Sequence, residues 1–330
     1  MNFTKSLLGA AALALAAGTS FAEPGLIYDT GTKFDGSFNE AAYNGAEAWA
    51  AETGGSYAEI ELAEAAQREQ AIRRLADRGH NPVVMTGFSF ADTLNSVAPE
   101  YPDTTFVIID SVVDQPNVRS VVFREHEGSY LVGVLAGMAT ETGTVGFIGG
   151  MDIGLISRFG CGYAQGVVSV NEGASVLENM VGVDDSAWVD VVRGGEIART
   201  QISRNADVIF AAAGLTGEGV LQTAAENEIF GIGVDSNQNH LQPGSVLTSM
   251  IKRVDLAVYD AFLAGDATET GVFSFGVAED GVGWSLDEHN EALISEEMQA
   301  AVEAAREGIL NGDIVVHNYT DDDTCPVEMQ

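Results

Sequence analysis

Basic side chains are scarce in this sequence: 15 Lys and Arg stand against 49 Asp and Glu in 330 residues. Such a field repels nucleic acid and anionic lipid, and it leaves a phosphorylated ligand little to hold it. The plain reading of the acidic excess is solubility in a salty setting, where distant charges are screened. Cysteine is scarcer still, with only Cys161 and Cys325. Neither has a His or Cys partner at metal-ligand spacing, so a structural zinc site is not expected. In an oxidising compartment the two can form one disulfide, and two free thiols are the alternative. The five His show no ligand pairing. No segment after the N-terminus reaches the roughly 18 uninterrupted apolar residues of a membrane-spanning helix.

What is present begins with residues 1–22, "MNFTKSLLGAAALALAAGTSFA". Lys5, an apolar core from Leu7 to Ala17 and the small-x-small ending Ser20-Phe21-Ala22 have the layout of a secretory signal peptide. No Cys lies near the cleavage point, so a lipid anchor is not expected, and the mature chain is expected to be periplasmic. Removing Lys5 with this segment leaves 308 residues and a net charge of −35. That length exceeds the size at which a single core usually stops growing, which implies two lobes.

Short apolar, β-branched runs then alternate with stretches of helical period. "PGLIYDTG", "SYAEIEL", "NPVVMTG", "TTFVIID" and "VRSVVF" read as strands, with helices between the first four. The alternation restarts after "GSYLVGVLAGMATE", with strands in "TVGFIGG", "ASVLENMVG", "ADVIFAAA" and "IFGIGVD". "GSVLTSMIKRVDLAVYDAFLAG" adds a strand and a helix, and "ISEEMQAAVEAAREGILNG" a last helix. This is an α/β chain of two Rossmann-like lobes with parallel sheets. Ligands of such folds sit beyond the carboxyl ends of the strands, and here in the crevice between the lobes.

The loops after strands therefore carry the candidates. In "YDTGTKFDGSFNEAAYNGAEAW" the Ser37–Glu40 spacing predicts a capping box and a helix from about residue 38. Phe34 is an aromatic in a polar turn, suited to cover a flat ligand, and Asp35 and Asn39 offer hydrogen-bonding groups beside it. Phe88 and Phe90 flank a Ser, so that one can face the cleft and the other the core. Asp110 ends "TTFVIID". Gly214 opens "GLTGEG", whose spacing departs from a phosphate loop and has no Walker lysine, so close approach to an uncharged ligand explains it better. Asp235 and Lys252 follow late strands and are expected to pair, a pair that can hold vicinal hydroxyls. These parts suit a neutral, planar, sugar-bearing molecule. A catalytic site would need a poised nucleophile or clustered metal-binding carboxylates, and neither is visible.

"FDGSFNEAAYNGAEAW", "YPDTTFVIID", "FREHEGSYLVGVLAGMATETGTVGFIGGMD", "ADVIFAAAGLTGEGV", "IGVDSNQ" and "GSVLTSMIKRVD" resemble, in order, the recurring blocks of the basic membrane protein family of ABC-transporter substrate-binding proteins. The resemblance runs from about Gly25 to beyond Phe275. It implies a periplasmic-binding-protein type I clamshell with three interlobe crossings, no cofactor, no catalysis, and delivery of ligand to an inner-membrane ABC permease by a monomer. Lobe 1 is expected over 23–123 plus about 246–275, and lobe 2 over 124–245 plus about 276–330. By resemblance to the purine nucleoside receptors of the family, Phe34 would stack on the base, with Phe88 as a second stacking residue. Asp235 and Lys252 would hold the ribose, and Asp110 and Asn39 would face the base. A sugar receptor of the same fold, or a receptor presenting ligand to a membrane sensor, is the alternative. A third crossing would also bring Cys325 onto the lobe that holds Cys161.

Overall fold

The computed structural model describes residues 22–330; the signal-peptide reading of 1–22 therefore lies almost wholly outside the described residues. The first lobe follows the predicted alternation. Strand β1 (Gly25–Ile27) leads to helix α1 (Phe38–Thr53), then β2 (Ala58–Ile60), α2 (Arg68–Ala76), β3 (Val83–Thr86), α3 (Ala91–Val97), β4 (Phe106–Ile109) and β5 (Val118–Phe123). The second lobe repeats it with α4 (Glu125–Ala139), β6 (Thr144–Met151), α5 (Gly154–Val170), β7 (Ser175–Gly182), α6 (Val191–Ser203), β8 (Val208–Ala212), α7 (Thr216–Glu226), β9 (Phe230–Asp235) and β10 (Val246–Lys252). Helix α8 (Val254–Ala264) and β11 (Gly271–Phe275) return to the first lobe; β12 (Val282–Trp284) and α9 (Glu296–Asn311) end on the second.

The first sheet runs β11-β5-β4-β3-β1-β2 and is parallel throughout; the second runs β12-β10-β9-β8-β6-β7, with β12 alone antiparallel. Helices cover both faces of each sheet, which is why the strands read as continuous apolar runs rather than as alternations. In the first lobe Leu26, Val84, Val107 and Ile109 pack in the core that holds α1 and α8, while Ile27, Val83, Met85 and Ile108 face α2 and α3. Successive side chains point to opposite faces, so one strand serves two cores. α1 and α8 approach so closely that a Cβ on Gly45 would lie 2.1 Å from the carbonyl oxygen of Asp255.

The division of the chain differs from expectation at one element. β10 pairs with β9 in parallel and with β12, inside the second sheet, so the crossing falls at Arg253 and not near residue 246. The buried side chains of Leu247 and Met250 hold β10 there, whereas α8 packs on α1. The other crossings lie at Arg124 and Gly276, and the Arg124 amide donates to the Phe275 carbonyl at 2.8 Å. Cys161 on α5 and Cys325 in the tail form a disulfide, with Cα atoms 5.6 Å apart. No helix of the described residues is long and apolar enough to cross a membrane.

Candidate ligand-binding cleft

Between the carboxyl ends of the two sheets lies a cavity of about 740 Å³, its open mouth included. Seven of the eight residues expected from sequence line it: Asp35, Asn39, Phe88, Asp110, Gly214, Asp235 and Lys252. Phe90, by contrast, is wholly buried in the core of the first lobe.

Phe34 is the exception. It is 56% exposed, sits edge-on to Tyr43 at 5.2 Å between ring centroids, and lines an outer groove instead. The turn through Gly36 (φ +64) reverses the chain, leaving Phe34 outside and bringing Phe38, the first residue of α1, to the cavity wall. The aromatic wall from the second lobe is Trp188, on the one-turn helix Asp185–Trp188, with Phe159 of α5 beside it. No periodicity or motif singled out Trp188. Gly214 lies beside Trp188 at φ +56, in the left-handed backbone that favours glycine, and a Cβ there would meet the Trp188 side chain only at an ordinary contact distance of 3.8 Å.

Helix α1 is capped differently from the expected box. The Asp35 carboxylate accepts from the amides of Ser37 (2.8 Å), Asn39 (3.0 Å) and Glu40 (3.1 Å). It therefore takes the role read for Ser37, and the Glu40 carboxylate accepts from Gly36 N at 3.0 Å. Freed from capping, the Ser37 hydroxyl donates across the cleft to Asp235 Oδ2 at 2.6 Å. Asn39 braces the loop: its Oδ1 accepts from Thr86 Oγ1 at 3.0 Å, and its Nδ2 donates to the Thr32 carbonyl at 3.2 Å. Asp29, also on the cavity wall, takes hydrogen bonds from Ser89 and from Arg68, and Arg68 binds Asp185 of the other lobe at 2.8 Å.

Lys252 does not pair directly with Asp235. Its ammonium donates to Asp110 Oδ2 at 2.6 Å and lies 3.1 Å from Glu125 Oε1, because β10 ends opposite β4 and the start of α4. The rings of Phe38, Phe123 and Phe159 surround it at 5.1–5.5 Å from their centroids. Burial works against the Lys252 charge, yet Asp110, Glu125 and Asp235 outweigh it and hold the amine protonated. Burial also opposes ionisation of Glu125, but Lys252 and Arg158 keep its carboxyl below the usual range. Burial pushes Asp110 up to about 6, against the pull of Lys252, and pushes Asp235 up to about 6 against Lys252 and Ser37. Asp35 rises to about 6 by burial despite its three amide donors. Asp110 Oδ1 is buried and has no hydrogen-bond partner among the described residues. The cleft thus joins flat aromatic walls to carboxylate acceptors and one fixed ammonium. Such a set offers stacking surfaces, hydrogen-bond acceptors and one cation, and no arginine among the described residues lines the cavity.

The family model described as ABC transporter substrate-binding protein PnrA-like (Bmp) matches residues 24–319. The chain belongs to this family. Its members bind solutes for ABC transporters, work outside the cytoplasmic membrane, and are not enzymes. The chain is 34% identical over 316 residues to the CD4+ T-cell-stimulating antigen of Listeria innocua, covering 88% of this chain and 87% of that one. It is 31% identical to the ABC transporter nucleoside-binding protein BmpA of Lactococcus lactis, covering 88% of each chain. Among solved structures, an ABC transporter solute-binding protein from Aeropyrum pernix superimposes with a TM-score of 0.83 at 26% identity, covering 92% of this chain and 95% of that one.

Proposed function

We propose that this protein is the periplasmic receptor of an inner-membrane ABC importer and binds a purine nucleoside between its lobes. The observation that carries the reading is the composition of one cavity. Phe38 and Phe88 from the first lobe face Trp188 and Phe159 from the second, and Asp110, Asp235 and Lys252 gather at the strand ends between them. The base stacks on the aromatic walls, where each ring contact contributes on the order of 1–3 kcal/mol. The ribose hydroxyls donate to Asp235 and accept from Lys252, and the unpartnered Asp110 Oδ1 accepts from a donor on the base. The name of the Lactococcus relative supports the same ligand class. Export by a cleaved signal peptide ending at Ala22 and action as a monomer complete the reading.

The test is calorimetric titration of guanosine, inosine, adenosine and ribose into protein that has been unfolded and refolded to strip carried-over ligand. Submicromolar binding of a nucleoside with ribose silent is the expected result. Silence from every nucleoside in folded protein would remove the ligand assignment.

A further inference from the structure

Two charged groups behind the cavity wall are left unused by this reading. Glu125, the first residue of α4, is fully buried and lies against Lys252. On its other side Arg158 of α5 donates from Nη1 to Glu125 Oε2 at 2.8 Å and to the Phe123 carbonyl at 2.9 Å. A buried carboxylate survives ionised only with such partners, and removing one leaves an uncompensated charge. The line of contacts runs Arg158–Glu125–Lys252–Asp110, and it ends on the unpartnered Asp110 Oδ1 at the cavity.

Arg158 is itself held from outside the lobe core. Its Nη2 donates to Thr320 Oγ1, in the C-terminal tail, at 2.9 Å. Residues 158, 161 and 165 share one stripe of α5, and the tail docks along that stripe. Thr320 meets Arg158, Cys325 is bonded to Cys161, and Gln165 exchanges two hydrogen bonds with the backbone of His317 at 2.8 and 3.0 Å. The last residue then pairs with the β7 edge, where Gln330 N donates to Val176 O at 2.9 Å.

We infer that Arg158 and Glu125 are positioning residues for the ligand cavity, and that the disulfide-anchored tail completes them through Thr320. Arg158 fixes Glu125, Glu125 shares the Lys252 ammonium, and Lys252 then engages only one oxygen of Asp110, leaving the other free for a donor on the ligand. Loosening the tail releases Arg158 and lets Lys252 redistribute between Glu125 and Asp110. The inference rests on the cleft being the ligand site, so one arm of its test needs no ligand.

The variants are Arg158→Gln, Arg158→Lys and Thr320→Val, the last an exposed position that spares the fold. Guanosine affinity by calorimetry should fall about tenfold or more in Arg158→Gln, recover in part in Arg158→Lys, and fall about threefold in Thr320→Val. In ligand-free protein, the ¹³C carboxyl titration of Asp110, assigned with Asp110→Asn, should move upward in Arg158→Gln. The groups facing Asp110 are Lys252, Glu125 and Asp235, and loss of the Arg158 charge leaves Glu125 to compete for Lys252. Unchanged affinity and an unmoved titration, with only the melting temperature lowered, would overturn the proposal. Normal binding in Thr320→Val alone would remove the tail from it. If the parent protein binds no nucleoside, the nucleoside reading fails, and the Asp110 titration still decides this inference.

Discussion

The two lobes end their fourth strands in the same way. β4 ends before Asp110 at φ +70, and β9 ends on Asp235 at φ +63. Left-handed backbone is uncommon outside glycine, and Asp tolerates it better than most residues. Each carboxylate reaches across the cleft from one oxygen, Asp110 to Lys252 of the second lobe and Asp235 to Ser37 of the first. Both rise to about 6 through burial. One bridge is an ion pair inside a charged network and the other a hydrogen bond from a neutral hydroxyl. A shared topology therefore places equivalent acids symmetrically, and their partners from the opposite lobe make them unequal.

The ion pair should dominate. Lys252→Met leaves Asp110 and Glu125 buried without their shared cation. It should destabilise the fold by about 3–5 kcal/mol and abolish measurable nucleoside binding; denaturant titration and calorimetry read the two effects. Equal losses in Lys252→Met and Ser37→Ala would break the proposed asymmetry.

The aromatic walls come next, one from each lobe. Phe38→Ala and Trp188→Ala should each weaken nucleoside binding by about 1–3 kcal/mol. Phe34→Ala should leave affinity within about twofold, since its ring packs on Tyr43 outside the cavity. A large effect at Phe34 would restore the role read from sequence.

Ser37→Ala removes only the neutral bridge and should cost about 1 kcal/mol of affinity through easier opening. Small-angle scattering of the ligand-free protein would show the change in closure.

Acidity tests both bridges together. Asp110 and Asp235 accept ligand protons best when ionised, so nucleoside affinity should fall as pH drops through about 6. Stability has the opposite sign for these groups. A carboxyl whose folded value lies above its unfolded value near 4 binds more protons when folded. Its contribution is fully present below pH 4 and lost as pH rises through about 6. Glu125, held low, opposes this trend, losing its contribution as pH falls. Calorimetry and thermal unfolding between pH 5 and 8 separate the ligand term from the folding term.

Local pattern alone determined the alternation of strands and helices, the two lobes, and the position of most of the candidate residues that line the cavity just after strands. These follow from short-range physics: apolar period, turn residues, and the tendency of open parallel sheets to bind at their carboxyl ends. The scarcity of basic residues already argued against a phosphate. Tertiary structure decided the partners. The cap at α1 belongs to Asp35 because a three-residue Asx turn can reach the same amides as the expected Ser37, and that choice freed Ser37 for Asp235. Phe38 replaced Phe34 at the cavity because the turn at Gly36 sets which side of the loop faces inward. Trp188 and Glu125 reach the site from segments far from the loops that marked it, and β10 joined the second sheet through pairing with β9 and β12. Backbone conformation depends chiefly on neighbours in the chain. A contact between lobes depends on where two distant strand ends meet, and no local pattern encodes that meeting.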